Sequence, residues 1–439
     1  MNPIAEELNS ILKKENPYVL EMLSHVGKNL FFPKGLLTQA AEAKKKAHKF
    51  NATIGIAKEK GRTMRLDSVA AQINDIPPRE FLTYSSSFGI PELRKLWQKT
   101  LFQKNPSLSD KNISLPVICC GVTHAISTCS DMWLNKGDVV ILPDMMWGNY
   151  NLLFSVKRGV RLSHYQLFTD NMEFNVSGFE HAVRAEAEKN DKIAVVLNFP
   201  HNPSGYTPTE QEGGRIVEVL TDVAKQGTNV LAFTDDSYFG LFYEKESIKE
   251  SLFARLCGKH PRLITVKLDG ATKENFAWGL RVGCITYGCC ADTNPNALYD
   301  ALERKSAGCV RGTISNTSHL GQTIILRSMQ DEKIYNREKK EKFEILEKRA
   351  NRFKKLLKDP EYKDAWDVYP FNSGYFLCLR LKTVDAETLR VHLLDEYGVG
   401  LISIGKQNLR IAFSCIEEAD LSELLDIIFQ GITNLTANI

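Results

Sequence analysis

The sequence predicts an α/β protein: a large, doubly wound, mainly parallel seven-stranded sheet, followed by a smaller α+β unit. Three observations carry this. Seven short β-rich runs lie between residues 115 and 287, several of them unbroken Val, Ile and Leu. Helical stretches alternate with them, as in parallel sheets joined by crossovers. Past residue 330 the text changes to one long charged helix and two further runs.

Taken in order, residues 1–45 read as helical and are expected to pack beside the smaller unit. The seven runs are LPVICC (115–120), DVVILP (138–143), RLSHYQL (161–167), KIAVVLNF (192–199), NVLAFTD (229–235), LITVKLD (263–269) and RVGCITY (281–287). Near-continuous apolar text fits strands covered on both faces. The last run follows closely on the one before it, which leaves room for one antiparallel strand. GFEHAVRAEAEKN and EGGRIVEVLTDVAKQG read as helices between the runs. After residue 330, Ile334, Phe343, Leu346, Ala350, Phe353 and Leu357 recur at helical spacing, an amphipathic helix. SGYFLCLRL and LRIAFS then read as strands. The expected division is 1–50 as an N-terminal segment packing with the small unit, 51–330 as the large unit and 331–439 as the small one.

Composition narrows the function classes. The chain has 439 residues, 43% hydrophobic and 25% charged, enough for a sizeable core. Its 56 basic and 53 acidic residues leave a net charge of +3, which argues against nucleic acid as a partner. Ten cysteines include the adjacent pairs Cys119-Cys120 and Cys289-Cys290 but no C-x-x-C and no zinc spacing, so no metal site is expected. They read as free thiols in a reducing cytoplasm. The N-terminal MNPIAEELNSILKKENPYVL is broken by charge, unlike a signal peptide, and no window holds 18 consecutive apolar residues. No membrane partner is expected.

Chemistry gathers just past the strands, where open α/β sheets bind ligands. GVTHA (121–125) follows the first run and opens a helix, placing backbone N–H groups where an anion binds. DMMWGNY brings Trp147, an indole suited either to the core or to ring stacking. HNPSG brings Asn202, TDDSYFG brings Asp235 and Tyr238, and GATKENFAWGLRVG brings Lys273 and Arg281. Singly these are a cap, a turn and surface charges. Jointly they meet the needs of pyridoxal 5′-phosphate. Its aldehyde takes a lysine amine, its ring nitrogen a carboxylate, its phosphate an Arg fork and backbone N–H groups, and its ring face an aromatic cover.

With these motifs the chain resembles the fold-type I pyridoxal-phosphate aminotransferases of the aspartate/aromatic class, from about residue 50 to the C-terminus. The resemblance implies the fold-type I transferase architecture and these roles. Lys273 is the Schiff-base and proton-shuttle residue. Asp235 holds the pyridinium nitrogen, and Asn202 and Tyr238 hold O3′. Arg281 and the Gly121, Val122 and Thr123 turn take the phosphate, and Trp147 covers the ring. LRIAFS resembles the segment whose Arg, here Arg410, forks the substrate α-carboxylate, and NATIGIAKEKGRT the loop whose Gly, here Gly55, approaches it. YSSSFGIPELR resembles the segment whose Tyr, here Tyr84, reaches the phosphate of the neighbouring subunit, which implies a homodimer with shared sites. VRGTISN resembles the stretch that carries an Arg for a distal carboxylate; Arg311 falls there after a short insertion. One ligand departs from the pattern: Gly270 stands where the family usually has Ser or Thr.

The resemblance implies transfer of an amino group from an L-amino acid, aspartate or an aromatic one, to a 2-oxo acid such as 2-oxoglutarate. An eliminating C–S β-lyase shares the same cofactor motifs and remains the alternative. A transcription regulator's sensor domain would need a DNA-binding module ahead of residue 45, and a nicotinamide enzyme a G-x-G-x-x-G after a strand; neither is in this text. His124 and His201 flank the site and are expected to be neutral and structural.

Overall fold

The structure is a computed structural model that describes residues 1–31, 36–291 and 293–437. All seven expected runs join one sheet. They are β1 (Val117–Cys120), β2 (Val139–Pro143), β3 (Arg161–Tyr165), β4 (Lys192–Asn198), β5 (Asn229–Asp235), β6 (Leu263–Gly270) and β7 (Val282–Gly288). Their order in space is β1-β7-β6-β5-β4-β2-β3. Strands β2 to β6 pair in parallel, and β7 runs antiparallel to both β6 and β1. The antiparallel strand is thus the run with the short connection.

The unbroken apolar text is explained by cover on both faces. Ile193, Val195 and Leu197 join Val139 and Ile141 in one layer, against Phe179 and Val183 of helix Val176–Ala187 and Ile216 and Val219 of helix Glu210–Lys225. Ala194 and Val196 join Val140 and Leu142 in the other, against Val122, Ala125 and Ile126 of helix Gly121–Trp133. Each fully buried Val, Leu or Ile is worth about 1.5–3 kcal/mol. Helix Glu210–Lys225 starts on a capping box: Thr209 N–H donates to the Glu212 carboxylate (2.7 Å), and Glu212 N–H donates to the Thr209 hydroxyl (3.3 Å).

The chain runs outward from β2 to β3 and returns inward through β4, β5 and β6. Such a reversal opens a crevice at the carboxyl ends of the strands. Asn198, Asp235 and Gly270 are the last residues of β4, β5 and β6, and Arg281 precedes the antiparallel β7, so all stand on one rim.

A second sheet holds β8 (Trp366–Val368), β9 (Leu377–Leu381), β10 (Ile402–Ile404) and β11 (Asn408–Ile411), antiparallel in the order β8-β9-β11-β10. Only β9 and β11 are readable in the sequence, and LRIAFS leaves the strand at Ile411 and turns at Phe413–Cys415. The long helix spans Glu332–Leu356 and buries Leu346, Ala350 and Phe353 as expected. At its start Tyr335 faces inward and Ile334 is 37% exposed. One residue is a rotation of about 100° on a helix, and the inward stripe passes through 335.

Ahead of the large sheet lie helices Pro3–Glu15, Pro17–Met22, His25–Asn29 and Leu36–Lys46. The expected contact with the C-terminal unit is made by the last of them. Gln39 donates to the Ser403 hydroxyl (2.7 Å), and Lys46 pairs with Asp395 (2.7 Å). Residues before 32 instead share a cavity of about 820 Å³ with segment 147–159. Among the described residues, no helix is long and apolar enough to cross a membrane, and no cluster of His, Cys, Asp and Glu has the makings of a metal site.

Candidate active site

At the rim, a cavity of about 420 Å³ is lined by Gly55, Val122, Thr123, Trp147, Asn202, Asp235, Tyr238, Lys273, Arg281 and Arg410. The sequence scatters these residues over more than 350 positions; the strand ends bring them together. Gly121 stands at the edge of the same pocket with φ +75°, and a Cβ there would lie 2.3 Å from Arg281 Nη2. A glycine is therefore required both by the backbone and by the guanidinium packed on it.

Asp235 ends β5 with its carboxylate fixed on both oxygens. Tyr150 O–H donates to Oδ2 (2.6 Å), and Ser237 donates to Oδ1 through its hydroxyl (2.6 Å) and its N–H (3.2 Å). All three donors are neutral. The other buried acids, Glu186, Asp236, Asp269 and Glu274, each have a Lys or Arg within ion-pair distance; among the described residues Asp235 has none. The buried bases show the mirror image. Arg94, Lys267, Arg349 and Arg390 are each paired with a carboxylate, and Arg410 is not. Arg410 is held by the Thr53 carbonyl (2.6 Å), the Asn202 side-chain oxygen (3.3 Å) and the face of Phe376 (4.3 Å to the centroid), and its Nε has no partner. An unpaired buried charge is costly, so each end of the cavity is built for a ligand of opposite sign.

Lys273 lines the same cavity from the short helix Ala271–Glu274, its Nζ 4.9 Å from the Tyr238 ring centroid. Burial pushes its amine down to about 8; Asp235 opposes that shift and Arg281 adds to it. The loop from Lys273 to Arg281 has left-handed backbone at Phe276 (φ +52°) and Arg281 (φ +53°). Such residues cost about 1–3 kcal/mol each and persist where the surroundings fix them. Here Arg281 Nη1 donates to the Trp278 carbonyl (3.1 Å), which turns the fork back over the Gly121 turn.

The HNPSG turn is set by a residue the motif reading passed over. Asn198, at the end of β4, donates to the Asp235 carbonyl (2.9 Å) and accepts Asn202 N–H on its own Oδ1 (2.9 Å). Gly205 closes the turn with φ +75°, where a Cβ would lie 1.9 Å from the Phe376 carbonyl oxygen. Trp147 packs edge-on to Tyr150 (5.4 Å), the same Tyr that holds Asp235. Asn198 and Tyr150 both sit inside motifs already singled out, within four residues of Asn202 and Trp147; spacing alone gave no reason to choose them.

Gly270 also has a structural reason. A Cβ there would lie 2.5 Å from the Val282 carbonyl oxygen, so a serine does not fit without movement of β7. Thr272 lines the cavity instead, with a buried hydroxyl that has no partner. His201 is pushed down to about 3 by burial, and burial also lowers His124. Both are neutral, and His124 Nδ1 accepts the Cys120 N–H (3.2 Å). Two expected residues lie outside this cavity: Tyr84 is 89% exposed, and the exposed Arg311 donates to the Ser315 hydroxyl (2.7 Å).

A buried amine, an unpaired carboxylate and an unpaired guanidinium at the switch point of this sheet define a pyridoxal-phosphate enzyme of fold type I. The chain belongs to the aminotransferase class I and II family, which it matches over residues 47–428. It is 24% identical over 205 residues to an aspartate aminotransferase of Bacillus sp. (strain YM-2), covering 46% of this chain and 48% of that protein. The chain thus spans about half the length of that relative. It is 23% identical over 360 residues to an aspartate aminotransferase of Sulfurisphaera tokodaii, covering 78% of this chain and 80% of that one. A crystal structure of an aminotransferase from Anaerococcus prevotii superposes with a TM-score of 0.83 at 22% identity, over 93% of this chain and 98% of the other.

Proposed function

We propose that this chain is a transaminase moving an amino group from an L-amino acid, aspartate or an aromatic one, to a 2-oxo acid such as 2-oxoglutarate. The single observation that carries the reading is the pair of unpaired buried charges, Asp235 and Arg410, lining one cavity with the Lys273 amine. Pyridoxal phosphate, when bound, supplies an electron sink and a protonated ring nitrogen that neutralises Asp235. Arg281, the Gly121, Val122 and Thr123 turn and the Thr272 hydroxyl hold the phosphate. Asn202 and Tyr238 donate to O3′, and Trp147 covers the ring. Arg410 grips the substrate α-carboxylate with a fork that a lysine could not provide, beside Gly55. Lys273, as a neutral amine, carries the cofactor and moves the proton at the substrate α-carbon.

The same reading makes the enzyme a cytoplasmic homodimer, in which Tyr84 reaches the neighbouring phosphate and Arg311 the distal carboxylate of a dicarboxylic substrate. It keeps the division into residues 1–50, 51–330 and 331–439. The aspartate-type features at Gly55, Tyr84 and Arg311, with the relatives' names, favour transamination over β-elimination. The test is Lys273→Ala. It is expected to abolish turnover and the absorbance of cofactor joined to protein; an unchanged spectrum overturns the reading. Pyridoxamine phosphate formed on adding an amino acid and turned back by a 2-oxo acid supports transfer, whereas pyruvate with ammonia would support the lyase.

A further inference from the structure

Beneath the cavity, on the opposite face of the sheet, lies a charge cluster that the reaction does not use. Parallel pairing places Asp235 beside Leu268. Side chains alternate along a strand, so Lys267 and Asp269 point away from the cavity, as does Asp236 after Asp235. All three are buried. Lys267 Nζ pairs with Asp236 and lies 3.5 Å from Asp269 Oδ2 and 4.5 Å from the Phe239 ring centroid. Asp236 also accepts from the Ser251 hydroxyl (2.5 Å), and Asp269 from Trp97 Nε1 (3.2 Å). Glu274, whose charge also bears on Asp269, is paired with Lys104 and, at 2.7 Å, with Lys339. Three cations thus balance three carboxylates.

A buried ion pair of this kind contributes little net stability, because desolvation offsets attraction. Its location says more. Asp236 is the residue after Asp235, and Lys267 is six residues before Lys273. Their pair, with the Asp236 N–H donating to the Leu268 carbonyl (2.9 Å), clips the end of β5 to β6. We propose that Lys267 is a positioning residue: through Asp236 and Asp269 it fixes the separation of the Asp235 carboxylate from the Lys273 amine. Together with Lys104 and Lys339 it also balances the three carboxylates beneath them, leaving Asp235 as the buried anion of the site.

This inference rests on the pyridoxal-phosphate reading above, and one experiment separates the two. Wild type and Lys267→Met are titrated with pyridoxal phosphate, and the loaded proteins are titrated with pH while the absorbance of the bound cofactor is followed. Wild type that binds no pyridoxal phosphate defeats the earlier reading. If wild type binds, Lys267→Met is expected to raise the cofactor Kd about tenfold, the scale seen when supporting partners of a ligand are removed. It is also expected to move the pH midpoint upward by about half a unit, because a nearby buried cation is lost. A folded Lys267→Met with wild-type Kd and midpoint overturns the inference. Should that variant not fold, Ser251→Ala removes the second donor to Asp236, together with the helix cap its hydroxyl gives to Phe253 N–H (3.1 Å). The inference then predicts an upward midpoint shift of the same sign and smaller size, and an unmoved midpoint overturns it.

Discussion

Lys273 carries the most chemistry for its size, and its environment makes a prediction without any cofactor. Burial lowers its amine from the ordinary 10.5 to about 8. Between those values the unfolded chain binds a proton that the folded chain does not, so folding stability rises with pH across that window. Urea unfolding of the cofactor-free protein at several pH values between 7.5 and 10 should show this rise in wild type. Lys273→Met should flatten it; parallel curves for the two proteins would refute the buried amine. The residues that bear charge into the cavity were legible in the sequence because each lies at, or within a few residues of, a strand end and no bland role covers them all. Asn198 and Tyr150 were not. Each acts through what it touches across strands, and that depends on register, which no single motif contains.

The elements explain the departure at Gly270. Three glycines let the ends of β1, β6 and β7 close up. A Cβ on Gly283 would lie 2.4 Å from the Gly121 carbonyl carbon, and one on Gly270 would lie 2.5 Å from the Val282 carbonyl oxygen. Restoring the usual hydroxyl with Gly270→Ser should therefore cost about 1–3 kcal/mol by overpacking and leave the cofactor Kd no better. Thr272→Val, which keeps the shape and removes the unpartnered hydroxyl, should weaken pyridoxal phosphate by about tenfold, the value of a hydrogen bond to a charged group. Denaturant midpoints and cofactor titrations check both. Improved binding by Gly270→Ser would mean that β7 moves easily and that this packing account is wrong. Most strands of the large sheet were readable for the same packing reason, since cover on both faces writes near-continuous Val, Ile and Leu; the edge strand β3, RLSHY, is partly exposed and is not written that way. Strands β8 and β10, three residues each, are too short to leave a period, and Ile334 was misplaced by a single step around its helix.

At the scale of the whole molecule, one chain leaves two of the expected site residues outside its own cavity, Tyr84 and Arg311. Large apolar side chains within three residues of them in sequence are open to solvent: Leu82 at 73% and Ile314 at 39% exposure. Exposed side chains of this size suit a covering surface. In the proposed two-fold dimer a second copy covers them and each Tyr84 reaches the other site. That arrangement fixes the outcome of a mixing experiment. Lys273→Ala damages the site of its own chain, whereas Tyr84→Ala damages the site of its partner. In a mixed dimer both lesions fall on one site, and the other site keeps an intact Lys273 and an intact Tyr84. Equal amounts of two inactive variants, unfolded and refolded together, give half mixed dimers, each with one working site of two. Activity should return to about a quarter of wild type. If mixed dimers form, as affinity tags on the two variants would report, and no activity returns, Tyr84 serves the site of its own chain; a Tyr84→Ala that is fully active alone would place Tyr84 on the surface.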